Sequence, residues 1–154
     1  MTPSLGFFRT FGFFLLFWLT IARSWGQEYS EYGNPLVRLT VKGVPVLAEV
    51  VSTPQKHYLG LSHRRELPEG RGMLFLMSDL RYQVFCMRDM LFPIDIIWIH
   101  EGKVAGLHKN LSPGDTGNYR SPVPVRLVLE VPGGFAERHG IKAGDPVVLE
   151  LSGF

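Results

Sequence analysis

The sequence predicts a mainly β protein, a single-domain antiparallel sandwich or barrel of about eight short strands with one or two short helices. Three observations carry this. Short runs rich in Val, Ile, Leu, Phe and Trp recur along the chain, each bounded by Gly, Pro, Asn, Asp or Ser. Only two short stretches carry helix start and stop signals. At 154 residues, 45% hydrophobic and 19% charged, the chain has the size and balance of one globular domain, though its N-terminus inflates the apolar share.

In chain order, residues 1–26 read as a signal peptide or N-terminal anchor. Arg9 supplies a thin positive region, and Phe11 to Ala22 is an almost wholly apolar, charge-free run. Arg23 interrupts it, and Ser24 and Gly26 are small residues suited to cleavage before Gln27. A spanning helix needs about 20 apolar residues, so uncleaved anchoring through residues 7–22 stays open beside secretion. Export to the periplasm or extracellular space is the expected location. Residues 27–35 are polar and turn-rich and read as a linker, and 36–154 as the single β domain.

Strands are expected at 36–41, 44–51, 72–77, 82–88, 94–100, 103–108, 124–131 and 146–151. Pro45 suggests that 44–51 lies at an edge. His100-Glu101-Gly102-Lys103 reads as a hairpin turn. Thr53-Pro54 starts one short helix that Gly60 stops, and Gly133 to His139 forms another that Gly140 stops. Residues 112–124 read as a long irregular loop.

Several chemistries have no support. The net charge is +2 with no basic run longer than Arg64-Arg65, which argues against a nucleic-acid surface. The five histidines show no metal-ligand spacing, and no phosphate-binding or dinucleotide glycine pattern occurs. No metal or cofactor is expected. Cys86 is the single cysteine, so no intramolecular disulfide forms. Between Phe85 and Met87 it reads as a small buried hydrophobe, slow toward thiol reagents, rather than a reactive thiol. His100 and His108 read as solvated hairpin ends. Trp98, Tyr82, Tyr119 and Phe92 read as core aromatics more readily than as a sugar-stacking platform.

The ordered set Val46–Val51, Gly60-Leu61, Arg64, Leu67-Pro68, Gly72-Met73-Leu74-Phe75, Phe85, Met87, Pro93, Asp95, Val128-Leu129-Glu130, Gly134, Gly140-Ile141 and Gly144-Asp145 resembles the domain-of-unknown-function 192 family of bacteria and archaea. The resemblance implies a compact, mainly β domain with no established activity. Its central pattern reads Phe-Trp-Met-Lys-Asn-Thr-x-x-Pro-Leu-Asp. This chain departs from it at Cys86, in place of Trp, and at Arg88-Asp89-Met90, in place of Lys-Asn-Thr.

The candidate ligand-binding residues are Arg64, Asp89, Asp95 and Glu130. Arg64 reads either as an anion clamp or as a structural ion pair with Asp95 or Glu130. Asp95, just after Pro93, reads as a general base, a metal ligand or an acceptor for turn amides. Glu130 faces away from Leu129 and Val131 on an alternating strand. If that face is covered, Glu130 needs a cation, with Arg64 or Arg126 at hand. The amides after Gly133-Gly134 read as a helix entry or as an anion site. The expected function is a non-catalytic envelope module binding a small polar or anionic ligand or an envelope protein. The alternative is a hydrolase using Asp95 or Glu130 as acid or base. Arg64 and Asp95 are expected close together, or near Glu130, on one side of the domain.

Overall fold

The computed structural model describes residues 26–150; the expected export segment lies almost wholly outside them. The elements are β1 (Leu36–Val41), β2 (Val44–Val51), α1 (Pro54–Leu59), β3 (Arg71–Arg81), β4 (Val84–Cys86), β5 (Ile94–His100), β6 (Lys103–Leu111), β7 (Asn118–Arg120), β8 (Val125–Pro132), α2 (Phe135–Arg138) and β9 (Val147–Glu150). The mainly β class holds. Seven strands form one sheet in the order β6-β5-β8-β3-β2-β1-β9, and β4 and β7 form a small second ribbon. The large sheet curls into a half-barrel whose two end strands meet. Lys103 bridges Pro146, and the Val104 amide donates to the Asp145 carbonyl at 2.9 Å.

Local chemistry accounts for the turns. Glu101 and Gly102 both adopt positive φ, 48° and 70°, which gives the tight β5–β6 hairpin the twist of its strands. Thr53 caps α1, its side chain accepting from the Lys56 amide, and Pro54 opens the helix.

Three expectations need correction. One strand pair, β2 with β3, is parallel, because α1 and the following loop return the chain to the same end of the sheet before β3 begins. β2 lies inside the sheet rather than at its edge; Pro45 precedes the stretch paired with β3, which starts at Leu47. The loop 112–124 contains β7, which pairs with β4 from Val84–Arg120 to Cys86–Asn118.

The curl leaves apolar surface on both faces of the central strands. Inside lie Leu39, Val41, Leu74, Ile97, Leu129, Val131 and Phe135. The other face carries Met73, Phe75, Ile96, Trp98 and Val128, covered by Leu61, Met87 and Met90. Every residue from Ile94 to Ile99 is therefore buried, which explains the unbroken apolar run around Asp95. Trp98 is fully buried and forms no stacking platform.

Asp95 is the polar tie of the inner face, at 0% exposure. Its Oδ1 accepts from the amides of Asn110 (2.6 Å) and Gly134 (3.0 Å), and its Oδ2 from the amide of Ala136 (2.7 Å). One carboxylate thus joins β5, β6 and the entry to α2. The amides considered as an anion site are already taken by the Asp95 side chain. Gly133 allows the approach: a Cβ there would stand 2.8 Å from the Pro93 Cβ and 2.9 Å from the Asn110 Oδ1. Asp95→Ala is expected to cost at least about 2 kcal/mol, since it strands the buried Ala136 amide and the part-buried amides of Asn110 and Gly134. Asp95→Asn, keeping one acceptor oxygen, should cost less. Urea unfolding of both variants reads this, and an unchanged midpoint for Asp95→Ala would contradict it.

Candidate functional site

The other face carries the site. Register aligns Glu49 of β2, Met73 of β3, Glu130 of β8, Ile96 of β5 and His108 of β6 in one row. Partners directly opposite in a sheet share a face. Two acids therefore stand on one face, on the two strands that flank β3, with Met73 between them. Asp95 pairs with Val131, one position out of phase, so its side chain leaves by the opposite face. The expected grouping of Asp95 with Arg64 or Glu130 is overturned by this parity.

Arg64 pairs with Glu49, a residue the sequence reading passed over. Its Nη1 donates to the Glu49 Oε1, and its Nη2 to Oε2 at 3.0 Å. Oε2 also accepts from Ser30 Oγ (2.9 Å) and Asn34 Nδ2 (2.8 Å). The Tyr32 ring covers the guanidinium, with Cζ 3.7 Å from its centroid. Burial pushes the Glu49 carboxyl up, but the hydrogen bonds from Arg64, Asn34 and Ser30 outweigh this and hold it below its ordinary value. The stretch 27–35 is thus no free linker. Its polar residues satisfy a buried acid, and Asn34 is itself buried.

A turn positions Arg64. The His63 amide donates to the Asp89 carbonyl (2.9 Å), and Ser62 Oγ to the Arg88 carbonyl (3.0 Å). Arg88 returns a bond to the Tyr58 carbonyl (2.8 Å) and stacks on the Tyr58 ring. Asp89 has φ 56°. Asp and Asn tolerate this left-handed conformation, so Asp89 does turn work where the family pattern has Asn. Its carboxylate is exposed, 3.7 Å from Arg88 and 3.9 Å from His63.

Glu130 is 5% exposed, and its Oε2 has no hydrogen-bond partner among the described residues. Burial raises its pKa to about 8, with the Arg64 charge only partly opposing. The face is covered, and Arg64 is the cation near it. With Arg64 committed to Glu49, Glu130 stays protonated at neutral pH. His108 is not a solvated hairpin end. Its Nδ1 accepts from the Trp98 indole at 3.0 Å, and burial lowers its pKa, so the ring is neutral.

Between residues 29–36 and the α1–β3 connection lies an open groove of about 1160 Å³. Glu49, Arg64 and Asn34 line it, together with Lys56, Arg65 and Arg71. A smaller pocket, about 280 Å³, lies between α1 and β4 and reaches Glu130. Among the described residues, no group of three or more His, Cys, Asp or Glu is placed to hold a metal ion.

Cys86 is exposed, against the expectation of a buried thiol. Phe85 and Cys86 alternate across β4; Phe85 packs on Phe75 and Trp98, so its neighbour turns outward. Native labelling of Cys86 by a small disulfide reagent is expected to be as fast as in the unfolded chain to within about tenfold, and Cys86→Ser should change stability by less than about 0.5 kcal/mol. The two acids have opposite linkage. The folded pKa of Glu130 exceeds its ordinary 4.5, so stability falls as pH rises from there to about 8, at up to about 1.4 kcal/mol per pH unit. Glu49 contributes stability that is present above its ordinary value and lost below it. Thermal melts across pH should show the Glu130 slope vanish in Glu130→Gln. A slope that survives would show that Glu130 is not its source.

The comparisons agree on the fold. A protein of unknown function from Novosphingobium aromaticivorans matches at 32% identity with a TM-score of 0.74, over 79% of this chain and 91% of that one. A protein from Sinorhizobium meliloti, proposed to be a transcription regulator, matches at 25% identity with a TM-score of 0.72, over 80% and 98%. Among curated proteins none matches significantly. The family model described as uncharacterized ACR matches residues 37–149, and the chain belongs to this domain-of-unknown-function 192 family.

Proposed function

We propose that this domain is a non-catalytic module that binds a small anionic or polar ligand in the groove beside Arg64. One observation carries the reading: Arg65 and Arg71 line the groove without ion-pair partners among the described residues. Unpaired guanidinium groups bind carboxylate, phosphate or sulfate through parallel hydrogen bonds. Arg64 serves as scaffold instead, since Glu49 neutralises its charge.

The hydrolase alternative finds less support. Asp95 is sealed by three amides, and Glu49 is held by Arg64, Ser30 and Asn34. Neither is free to act as a base beside Glu130. The description of the Sinorhizobium relative raises nucleic-acid binding, but a net charge of +2 and a longest basic run of two residues, Arg64-Arg65, lend it little support. In this reading the protein works outside the cytoplasm, in the periplasm or extracellular space or attached through residues 7–22, as the run Phe11–Ala22 suggests.

Calorimetric titration of the full chain in mild detergent with inorganic phosphate, sulfate and citrate tests the groove. Saturable binding that weakens roughly tenfold in Arg65→Ala or Arg71→Ala, with unchanged melting temperature, is the expected result. Binding that ignores both substitutions, or no saturable binding to any of the three, would refute the reading.

A further inference from the structure

The pocket between α1 and β4 carries a second inference. It has apolar walls, including Phe75, Met77, Phe85 and Met90, and it reaches one acidic side chain, Glu130. That side chain is nine-tenths buried, and its Oε2 has no partner among the described residues. A buried carboxyl oxygen left unbonded costs free energy, and interiors rarely tolerate one without a use for it.

We propose that this pocket is a binding site, distinct from the arginine-lined groove, for a small, largely apolar molecule carrying one hydrogen-bond-accepting oxygen, which the Glu130 carboxyl meets as donor. Its volume of about 280 Å³ holds a molecule of a few carbon atoms, somewhat below the usual span of small-molecule sites. The polarity of the ligand follows from the charges. Arg64 acts on Glu130, and Arg88 and His57 line the pocket. The two guanidinium groups, of Arg64 and Arg88, disfavour an amine and favour an acceptor oxygen. Leu59, Gly60 and Ser62 line both cavities, so this turn is the partition between them.

The protonated acid at neutral pH fits the donor role. The other titratable or charged groups around it are His57, Tyr58, Cys86 and Arg88 along the pocket, Arg64 behind the partition, and Glu49 and His108 in the same cross-strand row. Cys86→Ser removes the thiol from any pH series without touching the pocket floor.

The test uses the full chain in mild detergent, with methionine labelled at its methyl carbon. Met77 and Met90 line the pocket and report on it by NMR. The probes are cyclohexanone, methylenecyclohexane and cyclohexylamine, alike in size and different in the polar group. Cyclohexanone should shift the Met77 and Met90 methyls saturably, at least about tenfold more tightly than methylenecyclohexane. Glu130→Leu should erase that preference. In the Cys86→Ser background, cyclohexanone affinity should fall as pH passes about 8, and Glu130→Gln, whose amide donates at every pH, should keep it level. Equal affinity for ketone and hydrocarbon, tighter binding of the amine, or no saturable shift would each overturn the proposal. Displacement of cyclohexanone by phosphate would overturn it too, by making the two cavities one site. Because phosphate binding depends on Arg65 and Arg71 rather than Glu130, failure of one site leaves the other standing.

Discussion

The whole fold turns on a buried carboxylate that never meets solvent. Asp95 stands where β5 leaves the Pro93 turn, and its three amide partners lie on β6 and at the entry to α2. These segments lie 15 to 41 residues away along the chain. A carboxyl group at this depth is tolerable because its oxygens accept from three fixed backbone amides. The same contacts set where β8 must end and where α2 must begin. That in turn places Phe135 and Ala136 in the inner cluster. The inner face of the half-barrel is filled by buried apolar side chains around this one polar tie.

The opposite face solves the same physical problem twice and differently. Glu49 and Glu130 stand on one row, with only β3 between their strands. Glu49 is given a guanidinium, an amide and a hydroxyl and stays charged. Glu130 has no hydrogen-bond donor at its Oε2 among the described residues and keeps its proton at neutral pH. A single arginine cannot neutralise both, and its bidentate geometry selects Glu49. The N-terminal segment 29–34 tips that choice by adding Ser30, Asn34 and the Tyr32 ring to the Glu49 side. Neutrality at Glu130 is thus a consequence of what the segment before β1 does two strands away.

How much of this was legible depended on whether a signal was local. Strands announce themselves by composition and bounding turns, so β1, β2 and β5 fall where expected, and so does α1 with its Thr53 cap. The β7 strand did not show, because three residues among prolines and glycines carry no period; only pairing with β4 makes them a strand. Asp95 as an acceptor for turn amides was readable from its place after Pro93. Its separation from Glu130 needed strand register, which a sequence does not display. Glu49 could have been found by the signal that singled out Glu130, a lone acid inside an apolar β-run, Val46 to Val51. Its partners are hidden in the sequence, because the polar stretch that satisfies it has the composition of a spacer. The exposure of Cys86 is hidden from the sequence for a related reason. Apolar neighbours at both sides imply burial in a helix or a two-faced core strand, but in the short β4 ribbon alternation sends Phe85 inward and Cys86 out.

The position of Cys86 also bears on why the smaller pocket is open. The family pattern has tryptophan there, and this chain has one of the smallest side chains in its place, at the pocket's lining. An indole on the same Cβ would occupy far more of the space between β4 and α1 than a thiol does. The aromatic seam beneath, Phe75 on Phe85 on Trp98, remains complete without it, so the exchange opens surface without unmaking the core. The rest of the mouth is framed by exposed Tyr58 and Val84, held in part by Arg88, which stacks on Tyr58 and bonds its carbonyl. Small residue at the rim, intact aromatics below and a neutral acid at the floor are three separate features of one cavity. Packing alone accounts for the second; the first and third leave room and hydrogen-bonding capacity that the folded chain does not itself use.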